Sequence, residues 1–223
     1  MVLECRDAVC EGGDDRRATS AARVEVVVFD LGNVLIPFQP RWLFRQLLPD
    51  EASIDRFLAE TDFDAWNTAM DAGRRFADGI AAHSRCFPHY RALFEAFFER
   101  WQETVGEPIA ESVEVLRELQ KNDIRTYALT NFSAETYPLA AARFPFLADF
   151  DGAVVSGSEG VVKPDPAIYR RLVERYSIVP ARAVFIDDKL ENVEAARRLG
   201  FHGIHFSDPA LVRPALRALG LPV

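Results

Sequence analysis

The sequence predicts an α/β fold, a Rossmann-like parallel sheet with helices on both faces, carrying a small all-helical insert straight after its first strand. Three observations predict it. From about Gly106 onward, short runs of β-branched and aromatic residues alternate with amphipathic segments, which is the pattern of strands buried between crossover helices. One further apolar run, Val26 to Ile36, stands ahead of them, separated by a stretch with helical spacings and no convincing strand. At 223 residues and 49% hydrophobic, the chain can bury a full core as one domain or as a domain with a substantial insertion.

Taken in order, residues 1–22 are charged, contain glycine and lack periodicity, so they are expected to be a mobile extension outside the fold. Residues 23–37 hold one strand, within VVVFDLGNVLI, which closes on a single aspartate and a flexible Leu31-Gly32-Asn33 turn. Residues 38–105 read as the helical insert, rich in aromatics: RWLFRQLL, IDRFLAE, FDAWNTAM and RALFEAFFERW. Its Trp42, Phe63, Trp66 and Phe98 have the spacing of core residues.

Residues 106–223 return to the sheet. The expected strands are Ile124–Thr130, Gly152–Gly157, Ala183–Asp187 and Gly203–Phe206. Ile109, Val113, Leu116 and Leu119 line one helical face, with Pro108 in the first turn. Ile168, Leu172, Val173 and Tyr176 line another after Pro166, with Asp165 as N-cap.

Charge and cysteine content exclude several classes. A net charge of -8 and a pI near 5.1 argue against a nucleic-acid or anionic-membrane surface, both of which call for a basic face. No apolar stretch approaches the roughly 20 residues of a membrane span, and Met1 to Ala22 lacks the apolar core of a secretory signal; the expected location is cytoplasmic. Three cysteines, Cys5, Cys10 and Cys86, suit reduced thiols rather than a disulfide framework, and no Cys/His spacing matches a zinc site.

The chemistry gathers at the strand ends, where open α/β sheets place their sites. Asp30 ends the first strand, Thr130 and Asn131 the second, Lys163 follows the third, and Asp187 and Asp188 end the fourth. Clustered carboxylates suit a hard cation such as Mg²⁺ that keeps positions open for phosphate oxygens. A hydroxyl, backbone N–H groups and a lysine would hold the phosphoryl oxygens and balance charge, and the remaining carboxylate could attack phosphorus. Taken singly, each residue also has an ordinary reading: a turn cap for Asp30, a solvated helix start for Asp187 and Asp188, a surface lysine for Lys163.

Four ordered motifs, FDLGNVL, LTN, VVKPDP and FIDDKLEN, resemble those of the haloacid dehalogenase-like hydrolase superfamily. The resemblance runs from Val24 onward, and the insert is similar to that family's helical cap. It implies a nucleophilic role for Asp30. It implies a phosphate- and substrate-holding set of Leu31, Gly32, Thr130, Asn131 and Lys163, with Lys163 also balancing charge. For the metal it implies Asp30, Asp188, the Gly32 carbonyl, and Asp187 as ligand or supporting partner. Lys189 and Asn192 are weaker candidates for orienting the metal loop. Arg74, Arg75 and His83 could reach substrate from the insert; His89, His202 and His205 carry no pattern.

Gly32 departs from the family, whose phosphatases usually have there an aspartate that protonates the leaving oxygen and activates water. A subgroup resembling bacterial sugar-1-phosphatases also carries Asp-Leu-Gly-Asn-Val. The expected function is a Mg²⁺-dependent phosphatase of a small phosphorylated metabolite, a sugar phosphate among the options. A 2-haloacid dehalogenase is the alternative, because halide leaves without a proton. A non-catalytic phosphate or metal binder is the third. The adjacent aspartates favour the first, since they repel unless a cation neutralises them. Unless another acid replaces the missing carboxyl, turnover should depend steeply on the leaving group. The chain is expected to act as a monomer or homodimer, with no nucleic-acid or membrane partner.

Overall fold

Alternation along the first strand sets up the architecture. In β1 (Val26–Phe29) of the computed structural model, which describes residues 23–223, Val26 and Val28 enter one apolar cluster while Val27 and Phe29 enter another. Successive strand side chains point to opposite faces, so both faces of β1 are buried. The extension expected over residues 1–22, with Cys5 and Cys10, lies outside the described residues.

Four more strands join β1: β2 (Arg125–Thr130), β3 (Gly152–Val155), β4 (Ala183–Asp187) and β5 (His202–His205). All pairings are parallel, in the order β3-β2-β1-β4-β5. The central position of β1, beside β4, brings the ends of the aspartate-bearing strands together.

Helices cover both faces. On one side lie α6 (Ala110–Lys121), α7 (Tyr137–Arg143) and α11 (Pro209–Ala218), through Leu116, Leu119, Ala140, Val212 and Leu216. On the other lie α9 (Pro166–Tyr176) and α10 (Leu190–Arg198), through Ile168, Leu172, Ala195 and Ala196. Asp165 caps α9 as expected, its carboxylate accepting from the Ala167 N–H at 2.8 Å.

Between β1 and α6 the chain is helical: α1 (Pro40–Leu47), α2 (Glu51–Glu60), α3 (Phe63–Asp71), α4 (Phe76–Cys86) and α5 (Arg91–Glu99). Phe44, Phe57, Phe63, Trp66, Phe94 and Phe97 form its aromatic centre, with ring centroids 4.9–6.2 Å apart where they meet. The stretch leaves and rejoins the rest of the chain side by side, through an antiparallel bridge between Phe38 and Val105.

Several boundaries differ from expectation. The apolar run of β1 ends as strand at Phe29; beyond it the Leu31 carbonyl accepts from the Leu35 and Ile36 N–H groups at 2.9 Å, and Asn33 takes φ 55°. Buried Val34, Leu35 and Ile36 therefore belong to a pinned turn, not to an extension of the strand or a flexible loop. The chain turns into the short helix α8 (Ser156–Glu159) where strand was expected to Gly157. Pro108 precedes the N-cap Ile109 instead of sitting in the first turn of α6. Among the described residues, no helix is long and apolar enough to cross a membrane.

Candidate active site

Asp30 follows the last residue of β1 directly, and its backbone N–H donates to the Ile186 carbonyl of β4 at 2.8 Å. That bond sets the Asp30 carboxylate beside the end of β4. Oxygens of Asp30, Asp187 and Asp188 all lie within 4.8 Å of one another. Asp30 and Asp187 are buried, at 7% and 0% exposure. Asp30 Oδ1 accepts from the Leu31 N–H at 2.7 Å, so in this structure that amide serves the carboxylate. Asp187 is fully engaged: Oδ1 accepts from the Lys189 N–H and Asn192 Nδ2 at 2.8 and 2.9 Å, and Oδ2 from Lys163. Asp188 has one oxygen steadied by Asn33 Nδ2 at 3.2 Å, while Asn33 Oδ1 accepts from the Phe38 N–H.

Lys163 is the cation inside this cluster. Its ammonium reaches Asp30 Oδ1 at 2.8 Å, Asp187 Oδ2 at 2.7 Å and the Leu129 carbonyl at 2.8 Å, which uses all three of its donors. Asn131 fixes the lysine backbone from both sides, accepting from its N–H at 2.8 Å and donating to its carbonyl at 3.0 Å. Burial works against the charged lysine, but the carboxylates of Asp187 and Asp30 outweigh it and hold its pKa above the ordinary value. Burial pushes Asp30 upward, partly opposed by Lys163, and burial with the neighbouring Asp187 charge pushes Asp188 upward. Three carboxylates around one lysine remain short of positive charge, and their oxygens are the donors a hard divalent cation prefers.

A cavity of about 330 Å³ opens in front of the cluster, lined by Asp30, Gly32, Asn131 and Lys163 from the sheet side and by Phe63, Asn67, Thr68 and Asp71 from α3. Nothing lies within 4 Å of where a Cβ on Gly32 would stand. The Thr130 hydroxyl is buried without a partner, a vacancy in hydrogen bonding that calls for a reason.

A family model for haloacid dehalogenase-like hydrolases matches residues 24–200. The chain belongs to that family. Among curated relatives of this hydrolase is a sesquiterpene phosphatase of Aspergillus oryzae, 25% identical over 87% of this chain and 96% of that protein. Among solved structures, a HAD-like hydrolase of Porphyromonas gingivalis superposes with TM-score 0.71 at 24% identity, covering 91% of this chain and all of the other. A HAD family enzyme of Bacteroides thetaiotaomicron, in its magnesium complex, gives 0.67 at 20% identity over 82% and 93% of the two chains. An L-2-haloacid dehalogenase of Xanthobacter autotrophicus gives 0.59 at 18% identity over 87% and 83%. At such identities these structures share the fold with this hydrolase.

The hydrolase brings all eight sequence-predicted residues to one end of its sheet: Asp30, Leu31, Gly32, Thr130, Asn131, Lys163, Asp187 and Asp188. Lys189 and Asn192 line the same cavity. The basic candidates of the helical stretch fall elsewhere. Arg74 and Arg75 are exposed and line no part of this cavity, and His83 packs among the rings of Trp66, Phe87 and Phe94 at 5.5–6.1 Å. Exposed His205 meets the Asp188 carbonyl at 3.0 Å. Asn33, Asn67, Asp71 and Ser156 were not singled out from sequence. Asn33 had a signal, since asparagine tolerates the left-handed backbone better than most residues; the others stand where tertiary contacts put them.

Proposed function

We propose that this hydrolase is a divalent-cation-dependent phosphatase, with Mg²⁺ as the cation, acting on small phosphate monoesters through an aspartyl phosphate on Asp30. The observation that carries the reading is the carboxylate cluster. Three acidic side chains have oxygens within 4.8 Å of one another, and one lysine bonds two of them, which disfavours a site working without a metal. Asp30, Asp188 and the Gly32 carbonyl would hold the cation, with Asp187 positioning Lys163 and the following loop. The cation supplies charge neutralisation for the phosphate oxygens.

The chain's own residues supply the rest. Asp30 attacks phosphorus, and the bond to the leaving oxygen breaks. The free Thr130 hydroxyl donates to a phosphate oxygen, and the N–H groups following Asp30 serve others once substrate competes for them. Asn131 keeps Lys163 in place by its two backbone bonds. Residues 38–105 act as a cap that closes the cavity against water.

Beside Gly32 the wall continues through Ile36, Phe38, Phe76, Trp101, Val105 and Phe132, with Asn67, Asp71, Asn131 and Thr136 as its polar members. An apolar or aromatic alcohol suits such a wall better than a sugar, whose hydroxyls would each need a hydrogen-bonding partner on burial. The relative's action on sesquiterpene phosphates, as its name gives it, agrees.

The dehalogenase reading keeps one observation in its favour, the empty space at Gly32. Two product assays separate the readings, each run with and without Mg²⁺ and with Asp30→Asn. Phosphate release from an aryl phosphate that needs both Mg²⁺ and Asp30 is expected. Metal-independent halide release from an L-2-haloacid, with no phosphate release, would replace the phosphatase by the dehalogenase. Within the phosphatase reading, an isoprenoid phosphate is expected to outperform a hexose phosphate in kcat/KM.

A further inference from the structure

We infer that Asp71, at the C-terminal end of α3, is the general acid and base of this site, filling from the helical side the role for which Gly32 has no side chain. The inference rests on the phosphatase reading, because only a phosphate ester of an ordinary alcohol has a leaving oxygen that needs a proton.

Position is the first argument. Asp71 and Asp30 line the same cavity, together with Gly32, and Asp71 also borders the neighbouring apolar wall with Gly32 and Asn131. An alcohol leaving phosphorus into that wall departs between Gly32 and Asp71. The space in front of Gly32 is open, so nothing from the Gly32 side intervenes. Asp64 also borders the cavity but is exposed, and Asp30, Asp187 and Asp188 are committed to the cluster. Among the described residues Asp71 is the remaining sheltered carboxyl in that wall.

Rigidity is the second. The Asp71 carboxyl accepts from Asn67 Nδ2 at 3.2 Å, and its backbone carbonyl accepts from the Ser156 hydroxyl at 2.5 Å. Two residues on, Gly73 takes φ +97°, and a Cβ there would lie 3.0 Å from the Gly157 carbonyl oxygen, so only glycine lets the chain come this close. The end of α3 is thereby fastened to the loops after β2 and β3. A general acid needs such fixed placement.

Proton affinity agrees. Burial raises the Asp71 pKa to about 7; Lys189, the Ser133 N–H and Lys163 pull it down, and Asp30 pushes it up. Near neutral pH both forms are populated, as a group that must give and then take a proton requires. In the first step Asp30 bonds to phosphorus, the ester P–O bond breaks, and Asp71 gives its proton to the departing oxygen, which leaves as neutral alcohol. In the second the Asp71 carboxylate takes a proton from water as the water oxygen attacks phosphorus. The Asp30–phosphorus bond breaks, and phosphate leaves with both side chains restored.

The test compares kcat/KM for a series of phosphate monoesters, from aryl to alkyl, in Mg²⁺ for the wild type, Asp71→Asn and the Asp71→Asn/Gly32→Asp double variant. The wild type is expected to show a shallow dependence on the leaving group. Asp71→Asn should lose about 10² to 10⁴-fold on alkyl esters and roughly tenfold or less on aryl esters, with the basic limb of the alkyl pH profile gone. Gly32→Asp in that background should restore alkyl turnover. A steep dependence in the wild type overturns the inference without any variant, and so does an equal loss on both ester classes. Failure of the phosphatase reading looks different: the wild type would release no phosphate from aryl esters in an Asp30-dependent way, and the inference would fall with it.

Discussion

The Ser156 hydroxyl donates to the Asp71 carbonyl at 2.5 Å, while its oxygen accepts from the Phe132 N–H at 2.9 Å. One buried side chain at the end of β3 thus ties the last turn of α3 to the loop after β2. Removing it leaves two backbone groups without partners, at a cost of about 1–3 kcal/mol. Ser156→Ala is therefore expected to lower stability by that amount in urea unfolding and to reduce alkyl phosphate turnover more than aryl. A variant as stable as the wild type would show that the tie is dispensable.

Lys163 has a heavier duty, because among the described residues it is the one cation bonded to Asp30 and Asp187, and it is almost wholly buried. Breaking a buried pair by removing one partner typically costs about 3–5 kcal/mol, since the other charge is stranded. Lys163→Met should show a loss of that order at neutral pH. A midpoint shifted by less than about 1 kcal/mol would mean that the cluster is protonated or hydrated in place of being held by the lysine.

Much of this site was legible in the sequence because parallel sheets convert chain order into geometry. Asp30, Thr130, Asp187 and Asp188 sit at strand ends, and strands that pair in register must bring their ends together. Lys163 was readable from its place before the capped helix that Asp165 and Pro166 begin. Asp71 was not. Its own segment shows only an amphipathic helix, and what aims it into the cavity is a hydrogen bond from Ser156, 85 positions away. The helix α4, inside the stretch read as helical, showed no apolar face of its own in the sequence, because Gly79 interrupts it.

Gly32 is a permissive position. Its backbone is outside the left-handed region, and an added Cβ would meet no atom within 4 Å. Gly32→Asp is therefore expected to fold with a stability change within about 1 kcal/mol, and in the wild-type background, where Asp71 already supplies the proton, to leave the shallow dependence on the leaving group unchanged. Loss of all activity in a folded variant would mean that substrate itself occupies the space.

A cation that binds only the folded chain stabilises it by mass action, by about 2.7 kcal/mol at a hundred times its Kd. Mg²⁺ should raise the melting temperature of the wild type, and chelation should reverse the rise. Asp188→Asn keeps the shape and an oxygen to accept from Asn33 but removes the charge, so most of the Mg²⁺ effect should vanish. If the variant is stabilised as much as the wild type, Asp188 is not a ligand.

Asp71 gives a pH dependence whose sign follows from its raised pKa. The folded protein holds a proton to about pH 7 that the unfolded chain releases near pH 4. Stability linked to this group is complete below the unfolded value and is lost as pH rises through the folded one, reaching at most roughly 4 kcal/mol, at about 1.36 per unit. Asp71→Asn removes that titration while keeping the shape and a side-chain oxygen that can accept from Asn67. It should therefore unfold at higher temperature than the wild type at about pH 8, with the advantage shrinking to nothing near pH 4. The variant should thus gain stability at the expense of alkyl phosphate turnover, the trade expected where a site keeps a costly buried carboxyl for its chemistry. A stability difference that does not change with pH would mean that Asp71 is ionised throughout and cannot serve as the acid.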